Sequence, residues 1–160
     1  MRSAPLLVYD QPMGESENTI AMNETSEIIY TDEEPLDTDQ FIDLLRRSGL
    51  DARRPSEDRS CMASMVLNAD ILMTAWAGDE PIGVARAVSD FSYCCYLSDL
   101  AVDERWQRQG VGLALINATA NRLAADCQLI VLSAPKATNF YPEAGFAQHD
   151  NAWVRTARTD

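Results

Sequence analysis

The segment Tyr96-Leu-Ser-Asp-Leu-Ala-Val-Asp-Glu-Arg-Trp-Gln-Arg-Gln-Gly-Val-Gly-Leu-Ala-Leu-Ile116 constrains the fold more than any other stretch of the chain. Tyr96 to Val102 is rich in apolar and β-favouring residues, apart from Ser98 and Asp99, and predicts a strand. Asp103 to Gln109 is a polar loop, and Gly110 and Gly112 open an apolar-periodic segment. Ile116, Ala120, Leu123 and Cys127 follow at helical spacing and share one face of a helix from about Gly110 to Ala125. A glycine-containing turn that feeds a helix start is suited to an anion. The first-turn N–H groups have no partner within the helix, the helix dipole is positive there, and glycine lets a phosphate approach the backbone.

Three phosphate-binding patterns place glycines at a helix start. The P-loop requires Gly-Lys-Ser/Thr, which does not follow here. The dinucleotide fingerprint requires a small residue where Leu115 stands and an acid about 20 residues on, whereas Asp126 comes too early. The third pattern fits. Gln107-Arg-Gln-Gly-Val-Gly112, preceded by Leu100-Ala-Val-Asp103, resembles the Gln/Arg-x-x-Gly-x-Gly/Ala signature of the GNAT family of N-acetyltransferases. A second stretch, Ala137-Thr-Asn-Phe-Tyr-Pro-Glu-Ala-Gly-Phe146, resembles that family's Ala-x-x-Phe-Tyr-x-x-x-Gly-Phe pattern. The likeness spans roughly residues 27–155.

The remaining chain reads in the same direction. Glu27 to Thr31 is a short strand, and Asp37-Thr38-Asp39 supplies the N-cap of a helix carrying Phe41, Ile42, Leu44 and Leu45 that Gly49 ends. A second helix runs from Ser56 to about Leu67 with Met62, Met65 and Val66 on its apolar face. Ile71 to Trp76 and Ile82 to Val88 form a hairpin, and Tyr93 onward adds the organising strand to an antiparallel meander. The helix then crosses to Leu129–Ser133, which makes a βαβ unit with a parallel strand pair. A short helix around Lys136 to Tyr141 leads to a last strand pair near Phe146 and Trp153. The expected fold is α/β (α+β), a mixed and mostly antiparallel sheet with a splayed parallel pair and flanking helices. Residues 1–25 read as an N-terminal extension and residues 26–160 as one domain.

The resemblance implies the site. In the family a bulge splays the fourth and fifth strands, and a pantetheine arm fills the gap as a pseudo-strand. The backbone of Leu100, Ala101 and Val102 would then bind the acetyl carbonyl and pantetheine amides. The Gln107, Arg108, Gln109, Gly110, Val111, Gly112 and Leu113 turn would cradle the pyrophosphate, with Arg105 and Arg108 as aids or as plain solvated charges. Where the family often has an asparagine this chain has Ala134, and Asn139 is the candidate replacement. Tyr141 is either the general acid that protonates the leaving thiolate or a packing aromatic. Asp99 either acts on the amine or is a solvated strand residue sharing the face of Leu97, and His149 is the other neutral-pH base.

Composition sets the remaining bounds. Net charge is −12, and residues 1–40 hold ten acids against one arginine. No basic cluster suits nucleic acid. No apolar run reaches the ~20 residues that span a bilayer. Four scattered cysteines and one histidine give no metal-ligand spacing and no disulfide framework. The expectation is a cytoplasmic enzyme that uses acetyl-CoA, without metal, to acetylate a primary amine of a small molecule or peptide. A coenzyme A-binding sensor or interaction module of the same fold is the alternative. Arg46, Arg47, Arg53, Arg54 and Arg59 lie where the acceptor would enter, as an anion site or as a solvated face. Exposed hydrophobic strands suggest a homodimer.

Overall fold

Residues 27–137 and 139–157 are described by a computed structural model, so the expected extension over residues 1–25 lies outside the described residues. The chain runs β1 (Ile28–Thr31), α1 (Thr38–Ser48), α2 (Arg59–Leu67), β2 (Ile71–Ala77), β3 (Glu80–Ser89), β4 (Cys94–Val102), α3 (Val111–Ala120), β5 (Gln128–Val131) and α4 (Phe140–Glu143). Strand order in the five-stranded sheet follows the chain, antiparallel from β1 to β4 and parallel between β4 and β5.

Local chemistry explains the boundaries. Asp37 Oδ1 accepts from the N–H groups of Asp39 and Gln40 at 2.8 Å, and Gln40 Oε1 accepts from the Asp37 N–H at 3.0 Å. That reciprocal box starts α1. Gly49, at φ +74°, ends it by sending its N–H to the Arg46 carbonyl while Leu50 bonds back to Leu45. The second helix begins later than Ser56. Residues 51–53 form a 3₁₀ turn, and Asp58 caps the N–H of Cys61, so α2 starts at Arg59.

The sheet buries both faces. One apolar cluster joins Ile71, Ala85, Ala87, Cys95 and Leu97 to Val111, Leu115 and Ile116 of α3. The other joins Val84, Ala101 and Trp76 to Phe41, Leu44 and Leu45 of α1 and Met62 of α2. Gly83 permits the close seat of α3 on β3. A Cβ there would lie 2.9 Å from Leu115 Cδ1 and 3.3 Å from Val111 Cγ1.

Three further expectations are corrected. The third helix stops at Ala120 rather than Ala125; Asn121 caps it, and Ala124 turns its N–H to the Phe91 carbonyl. The fifth strand ends at Val131 rather than Ser133. The last strand pair does not form: described residues 146–157 contain no strand, and Trp153 is 93% exposed. The intervening Gln148-His-Asp-Asn151 run is polar and offers a strand no apolar face.

Candidate active site

The register of β4 creates the opening. On one side β4 pairs with β3, but Arg86 opposes Asp99 while Ala87 opposes Leu97, so Ser98 is the extra residue of a bulge. On the other side β4 pairs with β5 only from Cys94 to Leu97, opposite Gln128 to Val131. Residues 98–102 therefore continue beyond β5 with one strand edge unpaired by it. This is the splay expected between the two strands, and it begins at the bulge.

The bulge also moves Asp99. Simple alternation placed it on the face of Leu97. Instead Leu97 belongs to the cluster under α3, whereas Ala101 packs toward α1 and α2, and the extra residue puts Asp99 on the side of Ala101. It is 1% exposed, not solvated. Arg54 Nε donates to its Oδ1 and Arg86 Nε to its Oδ2. Arg86 also donates to Ser98 Oγ at 2.8 Å, and Arg54 to the Ser98 carbonyl at 2.7 Å. Arg86 was missed at the sequence level. Its signal was a lone charge in the apolar run Ile82-Gly-Val-Ala-Arg-Ala-Val88, on the hairpin partner of a strand holding a lone acid.

Beyond β4 the turn is braced by its own side chains. Asp103, 1% exposed, accepts from the Arg105 N–H and from the Arg47 and Arg105 guanidiniums. The Arg105 hydrogen bonds, then those of Arg47, hold its carboxyl well below the usual carboxylate range despite burial. Arg105 also pairs with Glu80, so its charge is committed to the protein. Gln107 Nε2 donates to the Val102 carbonyl at 2.8 Å, and Gln109 Nε2 to the Arg105 carbonyl at 2.8 Å. Both glutamine side chains thus shape the turn. Arg108 and Gly110 take left-handed backbone, at φ +60° and +86°, and α3 starts without a side-chain cap. The N–H groups of Val111, Gly112 and Leu113 have no acceptor within the helix.

The second motif meets the first at this helix start. A Cβ on Gly112 would lie 3.4 Å from Phe140 Cζ and 3.8 Å from Val102 Cγ2, so the Phe140 ring and β4 both pack close to this helix start. Arg108, Gly110 and Leu113 share with Asn139, Phe140, Glu143 and Ala144 a cavity of about 590 Å³. Tyr141, next to Phe140, is half-buried and stacks edge-on against Phe140 and Phe146, with ring centroids 5.3 and 5.4 Å away. Burial pushes its phenol up, with Arg53 and Arg54 pulling the other way. Tyr141 and the exposed His149 line a second cleft of about 970 Å³ between α3, β5 and the C-terminal segment.

A family model, the acetyltransferase (GNAT) domain, matches residues 53–156. The chain belongs to the GNAT acetyltransferase family. Acetyl transfer is the general activity that this membership carries. Solved structures share the fold. A probable acetyltransferase of meticillin-resistant Staphylococcus aureus is 17% identical with a TM-score of 0.68, over 83% of this chain and 100% of the other. An N-acetyltransferase of Thermoplasma acidophilum in complex with coenzyme A is 14% identical, with a TM-score of 0.61 over 79% and 93%. An aminoglycoside acetyltransferase from an uncultured soil metagenomic sample, bound to sisomicin, is 20% identical with a TM-score of 0.56 over 82% and 96%. No curated protein matches this GNAT chain. Among the described residues, no helix is long and apolar enough to cross a membrane.

Proposed function

We propose that this chain transfers an acetyl group from acetyl-CoA directly to the primary amine of a small molecule or peptide. The observation that carries the reading is the junction at Gly112, where the glycine turn and Asn139, Phe140, Glu143 and Ala144 of the second motif line one cavity, and Val102 of β4 lies close to the same glycine. These residues fit coenzyme A. An unpaired strand edge suits amide groups, and an uncapped helix start with a free arginine at its turn suits a pyrophosphate. Backbone from Leu100 to Val102 would hold the thioester arm. Amides from Arg108 to Leu113 would hold the phosphates, with Asn139 at the cavity wall. A carboxylate, Glu143, shares that cavity, so main-chain dipoles and Arg108 have to outweigh it.

Acetyl-CoA would supply the activated acetyl thioester, whose carbon–sulfur bond breaks as the amine nitrogen bonds to the acetyl carbon and the amine's surplus proton passes to solvent. Tyr141 is the acid of this reading: with its phenol raised by burial it stays protonated at neutral pH and donates to the departing sulfur. Asp99 has a positioning role, because it is buried and both its oxygens already accept from guanidiniums. It fixes Arg54 and the bulge at Ser98. The test is mass-spectrometric detection of acetylated product across amines, amino acids, polyamines, aminoglycosides and peptides, with Tyr141→Phe alongside. Products that vanish in the variant support the reading. Tight acetyl-CoA binding with no product across the panel favours a coenzyme A-binding module instead.

A further inference from the structure

Five arginines, Arg46, Arg47, Arg53, Arg54 and Arg59, cluster in sequence around the loop between α1 and α2, and the fold sorts them. Arg46 pairs with Glu57, Arg47 with Asp43, Glu80 and Asp103, Arg54 with Asp99, and Arg59 with Asp39. Arg53 pairs with no acid among the described residues. Among the described residues only Arg53, Arg108 and Arg155 leave a guanidinium without an ion pair, in a chain with 25 acids against 13 lysines and arginines. Arg108 lines the cavity at the glycine turn, and Arg155 lies in the C-terminal segment.

The backbone of Arg53 is fixed against the opening in β4. Its N–H bonds to the Leu50 carbonyl at 3.0 Å within the 3₁₀ turn. Its own carbonyl accepts from Arg54 Nη1 at 2.8 Å, and the same guanidinium reaches the Ser98 carbonyl and the Asp99 carboxylate. Ser98 is the first β4 residue past the last pair with β5. The Arg53 side chain therefore starts from a rigid mount at the place where the strands part, and it is exposed there. It also acts electrostatically on the Tyr141 phenol, as does Arg54. Arg54 is held by Asp99, which it shares with Arg86, whereas Arg53 has no carboxylate partner among the described residues.

We infer that the acceptor is an amine that also carries a carboxylate, and that the Arg53 guanidinium binds this carboxylate at the mouth of the splay. The inference rests on the transferase reading above. A fork of N–H donors matches a carboxylate in two parallel hydrogen bonds, and ordering the anion on a fixed mount orients the amine of the same molecule. A cationic acceptor without an acid would meet an unbalanced positive charge at the same place.

The test compares, for each common amino acid, the acid, its carboxamide and the decarboxylated amine. Wild type, Arg53→Gln and Arg53→Lys are assayed by mass spectrometry, with acetyl-CoA affinity measured in all three. Wild type should prefer the acid in kcat/KM by about 10- to 100-fold, the worth of a charge-assisted hydrogen bond. Arg53→Gln should abolish that preference through KM, leaving the amide and the acetyl-CoA affinity unchanged, and Arg53→Lys should restore only part of it, as a point charge without the fork. Amides and decarboxylated amines used as well as acids would overturn the inference while leaving the transferase standing. So would an Arg53→Gln variant that weakens acetyl-CoA or slows all three acceptor types alike. Binding of acetyl-CoA with no transfer to any of them would overturn the transferase reading and this inference with it.

Discussion

Gly83 offers the sharpest test of how the sheet positions the helix start. Replacing it with alanine puts a methyl carbon 2.9 Å from Leu115 Cδ1, 3.3 Å from Val111 Cγ1 and 3.4 Å from the Ala101 carbonyl oxygen. Leu115 and Val111 are 0% and 1% exposed, so neither has free space to move into. Overpacking of a filled core costs about 1–3 kcal/mol, and three tight contacts place Gly83→Ala in the upper half of that range. For a chain of this length that lowers Tm by roughly 4–12 °C. Val111 and Leu115 are in the first two turns of α3, so the shift also moves the uncapped N–H groups relative to β4, and acetyl-CoA affinity should fall. The diagnostic is a double-mutant cycle read by urea denaturation. Leu115→Ala alone should cost about 2–5 kcal/mol, but Gly83→Ala added to it should be neutral or stabilising, because the new methyl occupies space that Leu115 has vacated. Additive costs, or a Gly83→Ala penalty below about 0.5 kcal/mol, would refute the packing argument.

The other predictions address the site and its supports. Tyr141→Phe should lower kcat by about 10²–10⁴-fold with acetyl-CoA affinity unchanged, and since burial raises the phenol, any alkaline loss of rate due to it should lie above about pH 10. Equal rates in steady-state assays would remove Tyr141 from the chemistry. Asp99→Ala should cost about 3–5 kcal/mol by leaving Arg54 and Arg86 unpaired around a buried site, read from the urea midpoint. Gly110→Ala should cost about 1–2 kcal/mol from the left-handed backbone alone, since its Cβ meets nothing within 4 Å, and Gly110→Asn should cost less. Asp103, whose folded carboxyl is held below its unfolded value of about 3.9, contributes stability that is full above that pH and is lost as pH falls below about 4. Asp103→Asn should therefore flatten the acid limb of a stability–pH curve, and an unchanged limb would contradict its pairing.

Much of the fold was legible because local chemistry and tertiary packing agree. The Asp37 box and Gly49 fix α1, and two apolar runs joined by a tight turn fix β2 and β3. The glycine turn between β4 and β5 identified the parallel crossover. The end of the chain was not legible. Phe146 and Trp153 are apolar enough to suggest strands, but the polar run between them has no alternation to support a strand pair. The later start of α2 was readable from Asp58 as a cap, yet Ser56, buried in the turn, has the same capping chemistry.

The site shows where periodicity fails. Strand alternation assumes that each residue adds one step, and a bulge breaks the assumption at one residue without any mark in composition. Every residue after Ser98 changes face as a result, which takes Asp99 from the Leu97 side to the buried arginine pair. The same extra residue ends the shared register with β5 and opens the edge that the thioester arm needs. A buried carboxylate with two guanidiniums is expensive to desolvate and is a weak source of stability compared with an apolar trio. Its value here lies in specificity of position: Arg54 can satisfy Asp99, the Ser98 carbonyl and the Arg53 carbonyl together only if the bulge falls at Ser98. The arginine cluster of the sequence is therefore neither wholly a solvated face nor wholly an anion site. Most of it is consumed by acids, and the pair that reaches β4, Arg54 with Asp99, fixes the backbone of Arg53, which has no ion pair of its own among the described residues.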